Sequence, residues 1–154
     1  TKKTLDVDLD IETNFGPKNI KDNIDSKPEF VWMNAESIGD NDPALNYYSN
    51  LPAVFIFDKP LLNYLQLSTK RIIFLLDCLR ELANKRSTQV YLDNPIEYLK
   101  NKNFASTFAA VPKYKKITRV NIPTTEFPSV RLVKPINFYP SSYSSWKKRI
   151  ELNI

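Results

Sequence analysis

The chain has 154 residues and a net charge of +5, with one cysteine and no histidine. It is long enough to bury the core of one domain, and its single cysteine excludes an internal disulfide. The lack of histidine removes the commonest general base and the commonest metal ligand, so we expect no metal site. No apolar run approaches the roughly 18 residues of a membrane span, so we expect a cytoplasmic protein without a membrane partner.

Positive charge is concentrated in the last third of the sequence. Residues 1–29 hold seven acids and five bases, residues 30–99 eight acids and six bases, and residues 100–154 two acids and eleven bases. The last segment therefore carries a net charge of +9 on a nearly neutral body. A basic segment of this kind is typical of a solvated face or of a surface that meets an anionic partner.

Residues 1–29 are interpreted as a polar N-terminal extension, outside a predicted domain that spans residues 30–154. In the one patterned piece of the extension, acidic residues alternate with the apolar Leu5, Val7, Leu9 and Ile11. This alternation is typical of a strand with one wet face, and acidic residues deter aggregation at an edge strand. We favour an extended tail over an edge strand. A calcium loop is disfavoured because its glycine and terminal glutamate are missing.

Residues 30–33 and residues 53–57 are two apolar runs with the length and composition of strands buried on both faces. Between them lie a polar, turn-rich segment and a short predicted helix that includes Pro43, Ala44 and Leu45. A link of this length permits a crossover, and crossovers join parallel strands. We therefore predict a βαβ unit.

Three further strands and three further helices are predicted along the chain. The clearest helix spans residues 68–86, with a serine as its N-cap and an apolar stripe that we expect to be buried against the sheet. Within it, Cys78 is interpreted as a small buried hydrophobe. Pro112, Pro123 and Pro128 predict a loop between the last two strands, because a helix interior excludes proline. The other elements are strands at residues 89–92, 106–111 and 130–133, and helices at residues 95–100 and 140–152.

The alternation of strands and helices predicts an α/β fold, a Rossmann-like (flavodoxin-like), doubly wound single domain with a mostly parallel five-stranded sheet. In such a sheet, residues just past the carboxyl ends of the strands line the ligand crevice. Asn34, Ala35 and Glu36 follow the first strand and Asp58 follows the second, so these four are the predicted cofactor-binding residues. A glycine-rich phosphate loop is missing, since the chain has only two glycines.

The same stretch resembles the opening of a known family. The family's first domain begins with a strand ending in Trp-Phe, passes through Asp-Asn-Pro-Ala-Leu and continues into a strand similar to Pro-Val-Phe-Val-Phe-Asp. This chain is similar to that pattern in order and spacing. The matching segments are Val-Trp-Met at residues 31–33, Asp-Asn-Asp-Pro-Ala-Leu at residues 40–45, and Leu-Pro-Ala-Val-Phe-Ile-Phe-Asp at residues 51–58, with a further likeness over residues 67–82. On these segments the chain resembles the photolyase/cryptochrome family.

The resemblance implies a domain that holds an accessory pterin or flavin, or a nucleotide, without the helical domain in which the family binds FAD and repairs DNA. It therefore implies binding rather than photorepair, together with a homo-oligomer or a protein partner that supplies the missing half. At residues 34–38 the family typically has two arginines, aspartate, leucine and a further arginine, whereas this chain has Asn-Ala-Glu-Ser-Ile. The family's contacts at this turn are therefore not transferred.

Two other functions remain open at this point. One is nucleic-acid binding by basic residues interleaved with Tyr114, Tyr143 and Trp146, because cations track a phosphate backbone while aromatic rings stack on bases. The other is an enzyme in which Glu36 and Asp58 divide the acid and base roles. The basic residues of the nucleic-acid alternative are Lys113, Lys115, Lys116, Arg119, Lys147, Lys148 and Arg149.

Overall fold

Short strands rich in apolar and β-branched side chains form one sheet, because such side chains pack well on a pleated, buried surface. The computed structural model describes residues 16–23, 25–65, 67–131, 133 and 141–150. Within these residues the sheet has six strands, β1 (Lys21–Asp22), β2 (Phe30–Met33), β3 (Ala53–Asp58), β4 (Thr88–Asp93), β5 (Phe104–Thr107) and β6 (Thr125–Phe127).

Six helices connect or follow these strands in the described part of the chain. Asp42, Asp58 and Asn94 each cap a helix by accepting a hydrogen bond from a first-turn N–H, and each is followed by a proline in that turn. Proline suits this position because its fixed φ matches the helix and its missing N–H needs no partner there. The helices are α1 (Pro43–Tyr47), α2 (Lys59–Tyr64), α3 (Thr69–Ala83), α4 (Pro95–Leu99), α5 (Pro112–Val120) and α6 (Tyr143–Lys147).

The order of the strands across the sheet is β1-β6-β5-β2-β3-β4. Strands β2 to β6 are all parallel to one another, and β1 pairs antiparallel with β6 at one edge. The chain therefore moves from β2 to β3 and β4 on one side, then returns to place β5 and β6 on the other side. The result is a single α/β domain with a mixed sheet.

Two apolar clusters, one on each face of the sheet, form the core. Phe30 and Trp32 of β2 belong to the first cluster, and Val31 and Met33 to the second. Helices α4 and α5 contribute to the first cluster, whereas α1 and α3 contribute to the second. Helices thus cover both faces, and β2 lies at the centre with all four residues buried.

The predicted βαβ unit is confirmed. Val31 of β2 pairs with Ala53 of β3 in parallel register, and α1 lies on the crossover between the two strands. The predicted strand at residues 89–92 and the helices at residues 68–86 and 95–100 are also found, with ends that shift by no more than three residues. The sheet has six strands rather than five, because β1, from the N-terminal extension, joins its edge.

The prediction of a loop between residues 111 and 129 is wrong, because α5 lies there. Pro112 occupies the first turn of α5, while Pro123 and Pro128 fall beyond its end. None of the three interrupts an intrahelical hydrogen bond, and the first is compatible with the start of a helix. The position of each proline, rather than their number, decides whether a helix forms.

The last two predicted strands are displaced along the chain. β5 covers Phe104–Thr107 rather than residues 106–111, and β6 covers Thr125–Phe127 rather than residues 130–133. Of residues 130, 131 and 133, only residue 133 pairs, as an isolated bridge. Helix α2 is absent from the prediction, because Asp58 ends β3 and also caps α2, so that no loop separates the two elements.

The apolar stripe of α3 is buried only in part. Leu79 and Leu82 of the predicted stripe pack in the core, whereas Phe74 and Leu76 of the stripe are 65% and 45% exposed. The neighbouring Ile73, outside the predicted stripe, is 52% exposed. The prediction that the whole stripe is buried is therefore wrong. A helix buries only one face, and successive side chains are rotated by about 100° about the helix axis. Ile73, Phe74 and Leu76 therefore lie outside the part of the helix surface between Leu79 and Leu82 that is buried.

The end of the chain agrees in part with the predicted helix at residues 140–152. Helix α6 spans Tyr143–Lys147, and the Ser142 hydroxyl accepts a hydrogen bond from the backbone N–H of Ser145 at 3.2 Å. The alternating segment at residues 5–12 lies outside the described residues. No helix in the described ranges has both the length and the apolar character needed to span a bilayer.

Candidate functional site

The carboxyl-end cleft is a cavity of about 160 Å³ beyond the ends of β2 and β3. All four predicted cofactor-binding residues line it, namely Asn34, Ala35 and Glu36 after β2 and Asp58 at the end of β3. They meet there because neighbouring parallel strands end on the same edge of a sheet. The structure thus brings the four residues together, and their role as ligands stays a prediction.

The interior of the cleft is aromatic and apolar. Trp32 and Tyr114 both line it and stack in parallel, with ring centroids 5.6 Å apart. The Tyr114 hydroxyl donates a hydrogen bond to Glu126 Oε1 at 2.8 Å. Burial, reinforced by the charge of Glu126, raises the pKa of Tyr114, so its hydroxyl stays protonated and is a fixed donor. Leucines of α2, α3 and the link between them close the cleft, at Leu61, Leu62, Leu65, Leu67 and Leu75.

The size of the cleft limits what it can hold. An engineered apolar cavity of about 150 Å³ accommodates benzene, whereas sites for whole drug-sized ligands measure about 300–1,000 Å³. A cavity of about 160 Å³ therefore accepts one end of a flat ring system, with the rest of the ligand outside. Aromatic walls suit the face of such a ring, since offset stacking adds to the effect of burial.

Asn34 anchors the turn that follows β2. Its Nδ2 donates to the backbone carbonyl of Thr107 at 3.1 Å, and its Oδ1 accepts from the backbone N–H of Glu36 at 3.1 Å. Both ends of the amide are thereby engaged, and the turn is tied to β5. Asn34 shapes the rim of the cleft, and its hydrogen bonds hold Ala35 and Glu36 in place.

Asp58 is engaged in a similar way. Its Oδ1 accepts a hydrogen bond from the backbone N–H of Leu61 at 3.0 Å, which caps α2, and its Oδ2 lies 3.6 Å from Lys113 Nζ. Lys113, whose place in the basic segment predicts a nucleic-acid surface, also lines the cleft. The ion pair spans the cleft from β3 to α5, so Asp58 and Lys113 leave little net charge at this side of the mouth.

Glu36 and Arg71 are the charged lining residues whose side chains have no partner among the described residues. Arg71, on the first turn of α3, is a cation with a planar fork of five N–H donors, which matches carboxylate and phosphate groups. Glu36 offers two acceptor oxygens for N–H donors of a heterocycle. The mouth therefore carries one free charge of each sign above an apolar interior.

A second cavity, the side crevice, adjoins the carboxyl-end cleft. It has a volume of about 350 Å³ and lies between the turn after β2 and the ends of β5 and β6. Glu36 lines both cavities, so it stands on the ridge between them. Asp42 and Thr107 also line the side crevice.

Asp42 is a buried carboxylate at the base of the side crevice. Its Oδ1 accepts from the backbone N–H of Leu45 at 2.9 Å and from the Thr107 hydroxyl at 3.0 Å, while the Thr107 hydroxyl oxygen accepts from the N–H of Ala44 at 3.2 Å. Burial raises the pKa of Asp42, and these hydrogen bonds lower it by less. The network joins β5 to the start of α1.

Replacement of Asp42 by asparagine should remove a pH-dependent cost of folding. A raised pKa means that the folded state holds the Asp42 proton more tightly than the unfolded state does. The contribution of Asp42 to the free energy of unfolding is therefore greatest below about pH 4 and is lost as the pH rises through the folded-state pKa. The Asp42→Asn variant keeps an acceptor for Leu45 and Thr107. Its stability relative to the wild type should therefore increase from acid to neutral pH, as measured by urea unfolding at several pH values.

Two further variants test this account of Asp42. Asp40→Asn removes an exposed carboxylate from the same loop and controls for the change in net charge. Asp42→Ala removes the helix cap and should lower the free energy of unfolding by about 1–2 kcal/mol. A stability difference between Asp42→Asn and wild type that stays constant across the pH range would contradict the assignment.

The residues of the nucleic-acid alternative fall on two elements. Lys113, Lys116 and Arg119 are exposed on α5, whereas Lys115 is half-buried. Tyr114 packs in the first core cluster and lines the carboxyl-end cleft, so it does not lie on the exposed face that carries these cations. Lys147, Lys148 and Arg149 are exposed at the end of α6, where Tyr143 and Trp146 contact each other with centroids 5.5 Å apart.

Sequence reasoning missed the roles of Arg71, Asp42 and Thr107. The rule that carboxyl ends of strands line the site identifies Thr107 once β5 is known to end there. The predicted strand ran on to residue 111 and so concealed that position. Arg71 could be found only from the fold. It is far from β2 along the chain, and no sequence pattern indicates that it lies near the ends of β2 and β3.

Fold and cavities together define an α/β protein with a ring-sized cleft at the carboxyl ends of its parallel strands. Among the described residues, no group of three or more potential ligands from His, Cys, Asp and Glu is placed to hold a metal ion. No protein-family model, curated protein or solved structure that was compared with this chain matches it. Its function is therefore argued from the site.

Proposed function

We propose that this chain is a photolyase/cryptochrome-related α/β domain that binds a pterin, flavin or nucleotide at the carboxyl-end cleft. The observation that carries the proposal is the convergence of Asn34, Ala35, Glu36 and Asp58 on one apolar, aromatic cavity. In this proposal the domain binds and does not itself catalyse photorepair. A second copy of the chain or another protein completes the functional unit.

Strand order supports a Rossmann-like, doubly wound fold as the finer assignment. Numbered by their order along the chain, the five parallel strands β2 to β6 lie in the order 3-2-1-4-5, as in the first strands of the Rossmann order and unlike the flavodoxin order 2-1-3-4-5. The order reverses between β2 and β5, and ligands of such sheets bind outside the carboxyl ends near that reversal. Both cavities lie at that edge of the sheet.

Local structure in the matching segments also supports the family assignment. Asp42, Pro43, Ala44 and Leu45 correspond to the Asp-Asn-Pro-Ala-Leu segment of the family, and here they cap α1 and bury its first turn. The apolar segments that match are the central strands β2 and β3. The likeness therefore falls on residues that build the core, and the turn at residues 34–38, where the chain departs from the family, forms the rim of the site.

Chemistry at the cleft fits a flat heterocycle with an anionic tail. Trp32 and Tyr114 offer the apolar end, Glu36 accepts hydrogen bonds from ring N–H groups, and Arg71 receives a phosphate or carboxylate. A pterin or flavin ring fills the cavity by one end and extends across Glu36 toward the side crevice. The limited volume of about 160 Å³ favours partial insertion over full enclosure.

Titration of the purified chain with flavin mononucleotide, folic acid and ATP tests the proposal. We expect at least one of these probes to bind, with ligand fluorescence or equilibrium dialysis as the readout. The exposed Ala35 lies at the mouth, so Ala35→Trp should block the cleft and weaken binding at least about tenfold. Ala83→Trp, at an exposed position on α3 outside the cleft, should leave affinity unchanged.

Arg71→Gln tests the contact with the anionic tail, and Arg80→Gln on the same helix is its matched control. Loss of one charge-assisted contact should weaken binding about tenfold for Arg71→Gln, whereas Arg80 does not line the cleft. The proposal fails if no probe binds with a Kd below about 1 mM, or if Ala35→Trp binds as well as wild type.

The exposed cations of α5 favour nucleic-acid binding as a second candidate. Lys116 and Arg119 are exposed without a partner among the described residues, and Lys113 lies beside them with its ammonium near Asp58. Addition of a labelled single-stranded oligonucleotide to the same titration separates the two functions. Binding that weakens with added salt and is lost in Lys116→Gln would support this candidate, since phosphate contacts release counterions.

A further inference from the structure

Strand β4 forms one edge of the sheet and presents apolar side chains to solvent. Val90 is 43% exposed, Tyr91 36% and Leu92 63%. Edge strands are usually shielded by lysine, proline, bulges or very short length. The sequence Thr-Gln-Val-Tyr-Leu-Asp of β4 contains neither lysine nor proline over six residues, whereas the opposite edge, β1, has two residues including Lys21.

The outer side of β4 also presents unpaired backbone groups. Ala53 N–H donates to the Ser87 carbonyl at 2.8 Å, so in the parallel ladder the odd-numbered residues of β4 turn their backbone groups toward β3. The N–H and C=O groups of Thr88, Val90 and Leu92 therefore point outward. Among the described residues, no strand pairs with this side of β4.

Helix α3 packs against β4 on one face of the sheet. Val90 and Leu92 pair with Phe55 and Phe57, and paired residues of parallel strands point to the same face, which is the face that α3 covers. Ile73 and Leu76 lie one turn apart on α3 and are both exposed. We name Ile73, Leu76, Val90, Tyr91 and Leu92 the β4 edge surface.

We propose that the β4 edge surface is a dimer interface, and that a second copy of this chain occupies it with the two β4 strands antiparallel. The twofold axis then runs perpendicular to the sheet, so both α3 helices lie on the same face of one continuous sheet. The register that places Tyr91 opposite Tyr91 of the second copy also places Val90 opposite Leu92. Apolar side chains then meet apolar side chains, and the outward N–H and C=O groups of Val90 and Leu92 form the ladder.

Several features select a second copy as the occupant. A twofold interface uses the same residues of both copies, so the surface must be complementary to itself. The β4 edge surface meets this requirement because Val90 of each copy lies opposite Leu92 of the other in this register. Asp93 is the only charged residue of β4, and in this register it lies opposite Gln89 of the second copy, so no like charges face each other.

Sedimentation equilibrium of the full chain tests the proposal. The expected species has twice the monomer mass of 17.9 kDa at micromolar concentration. Leu92→Lys places a charge in each half of the interface and should weaken the dimer at least about tenfold. Ile122→Lys, at a position 80% exposed and outside the β4 edge surface, should leave the dimer intact. A monomeric wild type, or a Leu92→Lys variant that dimerises as tightly as wild type, would overturn the proposal.

A cysteine at residue 91 tests the arrangement directly. The backbone groups of Tyr91 point toward β3, so Tyr91 and Tyr91 of the second copy form a non-hydrogen-bonded pair. The Cα atoms of such a pair are about 4.5 Å apart. A disulfide can span this separation. Tyr91→Cys should therefore yield a covalent dimer on mild oxidation. The wild type, whose one cysteine is the half-buried Cys78, is the control and should stay uncrosslinked. Equal crosslinking of both proteins would contradict this geometry.

Discussion

Replacement of Arg86 by methionine should lower the free energy of unfolding by about 3–5 kcal/mol. The Arg86 guanidinium donates to the carbonyls of Leu45 at 2.8 Å and Tyr48 at 2.7 Å, and also to the carbonyl of Leu51. Each bond from a charged donor contributes about 1.5–3 kcal/mol. Removal of the donor takes away the hydrogen bonds to the Leu45 and Leu51 carbonyls, whereas the Tyr48 carbonyl keeps the bond from the Leu51 N–H at 3.2 Å. Methionine keeps most of the apolar stem, so the loss reports the hydrogen bonds.

The matched control for this variant is Arg80→Met in the last turn of α3. Arg80 is exposed, so its removal should change stability by no more than about 0.5 kcal/mol. Arg86→Lys keeps a charge but loses the fork that reaches several carbonyls, and it should fall between the two. Urea unfolding followed by circular dichroism measures all three. An Arg86→Met chain as stable as Arg80→Met would show that the carbonyls find other donors.

Truncation of Trp32 to alanine should cost about 3–5 kcal/mol. Trp32 is 3% exposed, stacks on Tyr114 and meets Phe104 edge to face at a centroid distance of 5.8 Å. Its removal creates a cavity where β2, β5 and α5 meet, and the surrounding strands are held by the sheet and close only in part. The same residue lines the carboxyl-end cleft, so the variant should also enlarge that cavity.

Tyr143→Ala is the control for the Trp32 variant. Tyr143 is an aromatic residue with 71% of its surface exposed, and its truncation should change stability by no more than about 0.5 kcal/mol. Guanidinium unfolding followed by far-ultraviolet circular dichroism suits the comparison because the signal does not depend on tryptophan. If Trp32→Ala and Tyr143→Ala proved equally stable, the assignment of Trp32 to the centre of the core would be wrong.

Short-range patterns predicted the elements that depend on local chemistry. Strands β2 and β3 and helices α1 and α4 follow from residues that are close in sequence, and all four elements are found. The errors arise where one residue serves two elements or where position matters more than type. Asp58 ends β3 and caps α2, and Pro112 opens α5 instead of preventing it.

The candidate site divides in the same way. Asn34, Ala35, Glu36 and Asp58 were accessible to prediction, because a parallel sheet places the residues after neighbouring strands at one edge. Arg71 and Lys113 reach the cleft from helices, and Asp42 is joined to Thr107, which lies 65 residues further along the chain. A sequence pattern does not encode such distances, since they depend on how helices pack on the finished sheet.

By itself, the amino-acid sequence determined the class of fold, the parallel central strands and the edge of the sheet that carries the cleft. These depend on hydrophobic periodicity and on chain connections, both of which are local or nearly so. Only the tertiary structure decided which parts of the α3 stripe are buried, how large the cleft is, and which charges at its mouth have no partner among the described residues. Each of these depends on the packing of residues that are distant in sequence. In such packing, a small rotation of one helix changes which of its side chains are buried.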